Sequence, residues 1–313
     1  MASPERRDGA PPEATTPPAV REAAGLLALV EASPGPWSQV ADAVEAAGTT
    51  AALVSTRSDV ADSAQRWLAV LGRLFTDDPE LGVVTVLDDD YPTNLAQVFN
   101  RPPLLFVRGT LVPVDERSVA IVGTRQPSDA GRRTARDLAT GLAEAGVTVV
   151  SGLARGLDTD AHVAALAAGG RTIAVLGSGI RRVYPPENAD LARMIGRSGA
   201  VVSQFPPDAA PSRTSFPHRN VVTSGIALAT LVVEAAATSG ARMQARLAGE
   251  HGRPVFLVDS LARSEAWAST LADQGGATVV GGVRDLLPAL DRLAQERGPD
   301  PGRLGSSRQL RLL

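Results

Sequence analysis

From about residue 118 onward, short apolar runs alternate with amphipathic stretches at a steady spacing. The runs Val119–Val122, Val147–Ser151, Thr172–Leu176, Val201–Ser203, Leu231–Glu234, Val255–Val258 and Thr278–Val280 have the length and apolar content of buried strands. Between them, stretches such as Gly131–Ala145 and Ala241–His251 repeat apolar residues at the period of a helix with one buried face. Alternation of this kind predicts βαβ units. The expected fold is therefore α/β, with a Rossmann-like parallel sheet covered by helices on both faces over residues 115–292.

Upstream the period changes. Leu26, Leu27, Leu29 and Val30, then Val40 and Val44, and later Trp67, Leu68 and Leu71 recur at helical spacing. Three or four short helices over 19–80 are expected to form a small N-terminal domain. Val83–Leu87 reads as a strand inside a lead-in segment, 81–114, that enters the core. Residues 1–18 and 293–313, rich in Pro, Gly, Ser and Arg, read as disordered tails. No internal repeat is present.

Composition narrows the chemistry. Of 313 residues 44% are hydrophobic, yet no apolar run reaches the roughly 20 residues of a membrane span. The charged, proline-rich start lacks a signal-peptide core, so the expected location is the cytoplasm, with no membrane partner. There is no cysteine, which removes disulfides, thiolate metal sites and cysteine nucleophiles. There is no lysine either, which removes Schiff-base chemistry and the P-loop lysine. Any anion site must use arginine, whose planar fork suits phosphate. A net charge of −3 speaks against a surface that coats long duplex DNA, but leaves room for a local basic site.

In parallel sheets, ligands bind beyond the carboxyl ends of the strands, so the loops there carry the candidate site. The first holds Gly123, Thr124 and Arg125. The second runs Ser151, Gly152, Leu153, Ala154, Arg155, Gly156, Leu157 and Asp158, and leads to His162. The third holds Gly177 and Gly179, followed by Tyr184 and Asn188. Glycines there let backbone N–H groups approach an anion, and a helix N-terminus adds partial positive charge. Each feature also has a plain structural reading. Gly177 and Gly179 can mark a tight turn, Asp158 a helix N-cap, and His162 a packing or hydrogen-bonding residue. Asp158, Asp160 and His162 lack the second cluster a metal site would need, so no metal and no cofactor is expected.

Read in order, GTR, SGLARGLDTDAH, TIAVLGSGI, YPPEN, SQFPPD, FPHRN and VVEAAATSGAR resemble the motif series of the DNA-processing protein A (DprA/Smf) family. Tyr91-Pro92, Pro102 to Phe106 and Gly109 look like that family's lead-in, so the resemblance covers about residues 90–285. It implies a dimeric protein, not an enzyme in the usual sense, that binds single-stranded DNA and helps load the RecA recombinase in natural transformation. Carried onto matching positions, the resemblance implies phosphate contacts from Gly123, Arg125, Ser151, Gly152, Arg155, Gly156 and Arg219. Phe216 and Asn220 would supply stacking and hydrogen bonding. Arg219 has a second reading, as an ion-pair partner of Glu234.

The chain also departs from the family's pattern. The second arginine of its FP.RNR motif is Val221, the acid of SE.PPG is Gln204, and its glycine is Asp208. Arg242, after Ser239-Gly240, is a candidate to return an arginine to the site. Two other readings compete. A small-nucleotide sensor or nucleoside-monophosphate phosphoribohydrolase-like enzyme would use Glu234 as a carboxylate, but the PGG.GT..E signature is missing. An NAD(P) oxidoreductase would need G-x-G-x-x-G after the first strand, and Gly123 to Gly131 does not spell it.

Overall fold

The computed structural model describes residues 17–297. The expected tails over 1–16 and 298–313 lie outside the described residues. Seven strands run parallel: β3 (Ser118–Val122), β4 (Thr148–Ser151), β5 (Thr172–Val175), β6 (Ala200–Ser203), β7 (Ala229–Val232), β8 (Val255–Val258) and β9 (Thr278–Val280). Each matches a sequence-predicted run to within two residues at either end. Two more, β1 (Leu81–Thr85) and β2 (Leu104–Gly109), pair antiparallel with each other, and β2 pairs antiparallel with β6. The sheet order is β1-β2-β6-β5-β4-β3-β7-β8-β9. Among the described residues, the chain forms the expected Rossmann-like α/β fold.

Four helices, α1 (Pro18–Ala32), α2 (Trp37–Ala47), α3 (Ala51–Val54) and α4 (Ser58–Asp77), precede the sheet, and α5 (Thr93–Ala96) sits between β1 and β2. Helices α6 (Asp129–Glu144), α7 (Leu157–Ala167), α8 (Ala189–Ser198), α9 (Ser215–Ile226) and α10 (Gly240–Glu250) follow β3 to β7 in turn. The short α11 (Asp259–Ser264) and α12 (Ala266–Asp273) follow β8, and α13 (Val283–Arg297) closes the described chain. No described helix is long and apolar enough to cross a membrane.

The lead-in segment differs from its expectation in one respect. The apolar run Leu104–Val107, which follows two prolines, is a strand buried on both sides. It is cut short by Gly109 at φ 92°, whose Cβ-less backbone touches the Gly199 and Gly196 carbonyls. Strand β1 begins two residues earlier than expected and ends at Thr85, where the Asp88 carboxylate accepts from the Thr85 N–H and hydroxyl at 2.7 and 2.8 Å. The Val86 N–H still donates to the Pro103 carbonyl at 3.0 Å, and Leu87 turns away to Thr85 Oγ1.

These two strands also decide where the N-terminal helices sit. Leu26, Leu27 and Leu71 pack in one cluster with Phe106 of β2, Leu153, Leu176 and Ile195. Helices over 19–80 therefore share a core with the sheet. A second cluster, around Tyr91, Leu95, Leu105 and Val222, fills the opposite face under α5 and α9. The third joins α6, α7, α10 and α13 to β3, β4, β7 and β8 through Leu138, Leu142, Leu157, Leu231, Phe256 and Leu286.

Phe106 is fully buried at this junction. Phe106→Ala is expected to lower unfolding stability by about 3–5 kcal/mol. The fluorescence of Trp37 and Trp67 should melt together with the far-ultraviolet circular dichroism in urea. Two separate midpoints would show that the N-terminal helices fold as their own unit.

Candidate nucleic-acid interface

The strand order reverses at β3, which lies between β4 and β7, so the loops after these strands open a crevice there. The loop after β4 is fixed from both sides. The Asn188 amide donates to the Leu153 carbonyl at 2.8 Å and to Thr159 Oγ1 at 2.9 Å. Asp158 Oδ2 accepts from the N–H groups of Gly152 and Ala154 at 3.1 and 3.3 Å. Between them Leu153 is held at φ 58°, a left-handed conformation that a leucine adopts only when its surroundings impose it.

Helix α7 starts at Leu157 with Gly156 as its N-cap, so Asp158 is not the N-cap that its position suggested. Its carboxylate reaches back to the loop instead. Gly156 has φ 80°, and a Cβ there would lie 2.5 Å from the Thr124 carbonyl oxygen and 2.8 Å from that of Arg125. The first two loops are thus in direct backbone contact.

The FPHRN segment forms the first turns of α9, which start beyond the carboxyl ends of β4 and β5 and run back over the sheet to Ser118 at the start of β3. This brings Arg219 down onto the second loop. Its guanidinium lies where a Cβ on Gly152 would be, 1.4 Å from Nη1, so only glycine leaves room for it. Nη1 donates to the Val175 carbonyl at 3.2 Å, and buried Nε has no partner. Burial pushes Arg219 below the ordinary arginine value, Asp158 opposes this, and the charge of Arg125 adds to it. The ion pair with Glu234 does not form. Glu234 is drawn to the first loop, where it accepts from the Ser128 N–H at 3.2 Å and hydroxyl at 2.8 Å, with Gly131 packed against its carboxylate.

One turn earlier on α9, the Phe216 ring lies against Gly177, where a Cβ would be 2.8 Å from Cδ1. Exposed Arg125 stacks over that ring at 5.2 Å, and Tyr184 tilts on it at 6.0 Å. Tyr184 also lies beside Arg155, which pairs with Glu187. Arg125 has no ion pair among the described residues, and the Asn220 amide has no hydrogen-bond partner among them. Gln244, on α10, donates to the Asn220 carbonyl at 3.3 Å. Arg125 and Tyr184 therefore gather on the Phe216 ring, with Arg155 beside Tyr184 and with Arg219 and Asn220 on the next turn of α9.

Other predicted residues have structural occupations. Ser151 is fully buried, donating to the Ile121 carbonyl at 2.7 Å. Gly179 is wedged against the Pro206 and Pro207 carbonyls, and its N–H donates to Ala209. Gly123 packs on Leu157, and the Thr124 N–H donates to the Glu234 carbonyl at 2.8 Å. Arg242 stacks on Trp267 at 5.7 Å and donates to the Ala237 carbonyl, away from Arg125 and Arg219. His162 is wholly buried, with Nδ1 2.7 Å from Thr172 Oγ1.

Part of the expected backbone anion cradle is taken from within: Asp158 accepts from the Gly152 and Ala154 amides of the second loop, and Glu234 from the Ser128 amide at the start of α6. No group of three His, Asp or Glu residues among the described residues is placed to hold a metal ion. The internal role of Asp158 had a sequence signal, a carboxylate two residues past a glycine at a helix start. The bond from Gln244 to the Asn220 carbonyl had none.

A mostly parallel Rossmann-like sheet extended by two antiparallel strands, with arginine and aromatic side chains on its switch-point loops, defines the class of fold. The model of the DNA recombination-mediator protein A family matches residues 82–291, and the chain belongs to that family. It is 40% identical over 174 residues to the DNA processing protein DprA of Streptococcus pneumoniae, covering 56% of this chain and 61% of the relative. It is 42% identical over 181 residues to protein Smf of Escherichia coli, covering 58% of this chain and 48% of the relative. The matches thus span about half to three-fifths of these relatives' length. The X-ray structure of DprA from Streptococcus pneumoniae superposes with a TM-score of 0.65 at 31% identity, over 86% of this chain and 92% of that one. A structure of DNA processing protein A from Helicobacter pylori, described for its single-stranded DNA binding mode, gives 0.60 at 25% identity, over 67% and 96%.

Burial also sets a pH dependence. It pushes the His162 imidazole down to about 3, with the Arg219 charge adding to the effect, and His251 down to about 4. An unfolded histidine titrates near 6.5. Both groups are neutral in the folded chain where the unfolded chain has bound protons, so their stabilisation is complete above about pH 6.5 and is lost as pH falls towards their folded values. Urea titrations from pH 7 to 4.5 should show unfolding free energy falling, and His162→Gln with His251→Gln should flatten that slope. An unchanged slope would mean that both imidazoles protonate freely in the native state.

Proposed function

We infer that the protein binds single-stranded DNA at the surface around Arg125, Phe216, Tyr184 and Arg219, and that it binds without turning the strand over. The observation that carries this is Arg219. A buried guanidinium that contacts no carboxylate, beside a second cation, is a site that an anion completes. Phe216 and Tyr184 add flat faces on which bases stack, whatever their identity. Asn220 supplies a free amide for a base edge. The phosphoribohydrolase-like alternative loses its acid, because Glu234 is engaged by Ser128.

The relatives extend this reading. As in the family, a dimer in the cytoplasm would hand the bound strand to the RecA recombinase during transformation or recombination. A recombinase nucleating faster on the protein-bound strand than on the naked one, seen as a shorter lag in its DNA-dependent ATP hydrolysis, supports that role. An unchanged lag removes it.

The binding itself is tested by fluorescence anisotropy with oligo-dT at low salt. Phe216→Ala is expected to cost about 1–3 kcal/mol, a loss of five- to 150-fold in affinity. Arg125→Ala should weaken binding and lower the dependence of log K on log salt by about 0.7, the value for one phosphate contact on a single strand. Affinity indifferent to both substitutions would overturn the assignment.

A further inference from the structure

The loop from Gly177 to Asn188 has two sides. One carries Gly177 and Tyr184 against Phe216, as described. The other forms a wall of a separate groove of about 990 Å³, whose opposite walls are the start of β1, the end of β2 and one face of α8. That volume is at the upper end of the range for ligand sites. Five arginines line it, Arg108, Arg181, Arg182, Arg193 and Arg197, against the two carboxylates Asp78 and Glu80.

The pairing of these charges is uneven. Arg108 is held by Asp78 at 2.5 Å, Arg193 pairs with Asp190 on its own helix, and Arg181 lies 3.6 Å from Asp208. Arg182 and Arg197 are exposed and have no charged partner among the described residues. Arg193 and Arg197, four residues apart, share one face of α8. Between the arginines the lining is apolar, from Ile180, Val183 and Pro186. Unpaired cations over an apolar floor suit a ligand with a repeating negative charge and flat rings.

Tyr184 belongs to both places. It lines the groove, tilts on Phe216 and lies beside Arg155. We propose that the groove between β1, β2 and α8 is an extension of the nucleic-acid interface, in which the single strand leaving Phe216 passes Tyr184 and places its next phosphates on Arg182 and Arg197. This rests on the single-stranded DNA reading above. A small anion held in the groove alone would not need Tyr184 as a shared wall.

The test compares oligo-dT of two lengths, about 4 and about 15 nucleotides, by anisotropy. Only the longer spans both places. Arg182→Ala with Arg197→Ala should weaken the longer strand about tenfold and reduce its salt slope by about 1.4, for two contacts. The short strand should bind as before. Both arginines are surface residues without partners, so the double variant keeps the fold, which circular dichroism checks. Equal affinities of variant and wild type for the long strand would overturn the extension, as would an equal loss at both lengths. If the wild type binds neither strand, the underlying reading fails as well. If Phe216→Ala weakens both lengths while the arginine pair does nothing, the extension alone fails.

Discussion

The arrangement of the site depends on one side chain crossing one glycine. Arg219 lies across Gly152, and nothing larger than hydrogen at that position leaves it room. Burying a guanidinium is costly unless its surroundings compensate, and here the compensation is spread out. Val175 offers a carbonyl, and Asp158 offers charge at a distance while bonding two amides of the loop beneath. Asn188 holds the same loop from the far side and keeps Leu153 in its strained conformation.

The way the crevice treats anions follows from the same loop. In many nucleotide-binding folds, backbone amides at a helix N-terminus hold the phosphate. Here Asp158 bonds the Gly152 and Ala154 amides of the loop before α7, Glu234 bonds the Ser128 amide before α6, and the glycines that mark the loops serve close packing between them. Arginine and aromatic side chains stand beside them. Such groups tolerate any base, because each base has a π-face and each nucleotide a phosphate, and they suit an extended strand better than one small cofactor.

The parallel sheet was legible in the sequence because β3 to β8 are buried on both faces and read as unbroken apolar runs. The meeting of loops could be anticipated for Arg125, Phe216 and Arg219, since their motifs follow strand ends in order. What stayed hidden is where a side chain turns once it is there. Glu234 and Arg219 read as an ion pair, yet the carboxylate turns to Ser128 because the start of α6 offers it an amide and a hydroxyl. Arg242 read as a site arginine, and instead the ring of Trp267 and the Ala237 carbonyl hold it. Neither outcome has a periodic signal. The strand Leu104–Gly109 was masked by the prolines before it, although its first four residues are as buried as the parallel strands β3 to β8.

That strand matters beyond the core. Without β1 and β2, β6 would be a sheet edge, and the face of α8 would look onto solvent. Adding two antiparallel strands covers the edge, seats Leu26, Leu27 and Leu71 on Phe106, and raises a wall opposite α8. It also brings Trp37 of the N-terminal helices within 5.8 Å of Phe205 and 6.3 Å of His218, beside Arg219 on α9. The N-terminal helices therefore act on the site by position. They brace the helix that carries the buried arginine, and the strands they pack upon turn an exposed sheet edge into one wall of an arginine-lined groove.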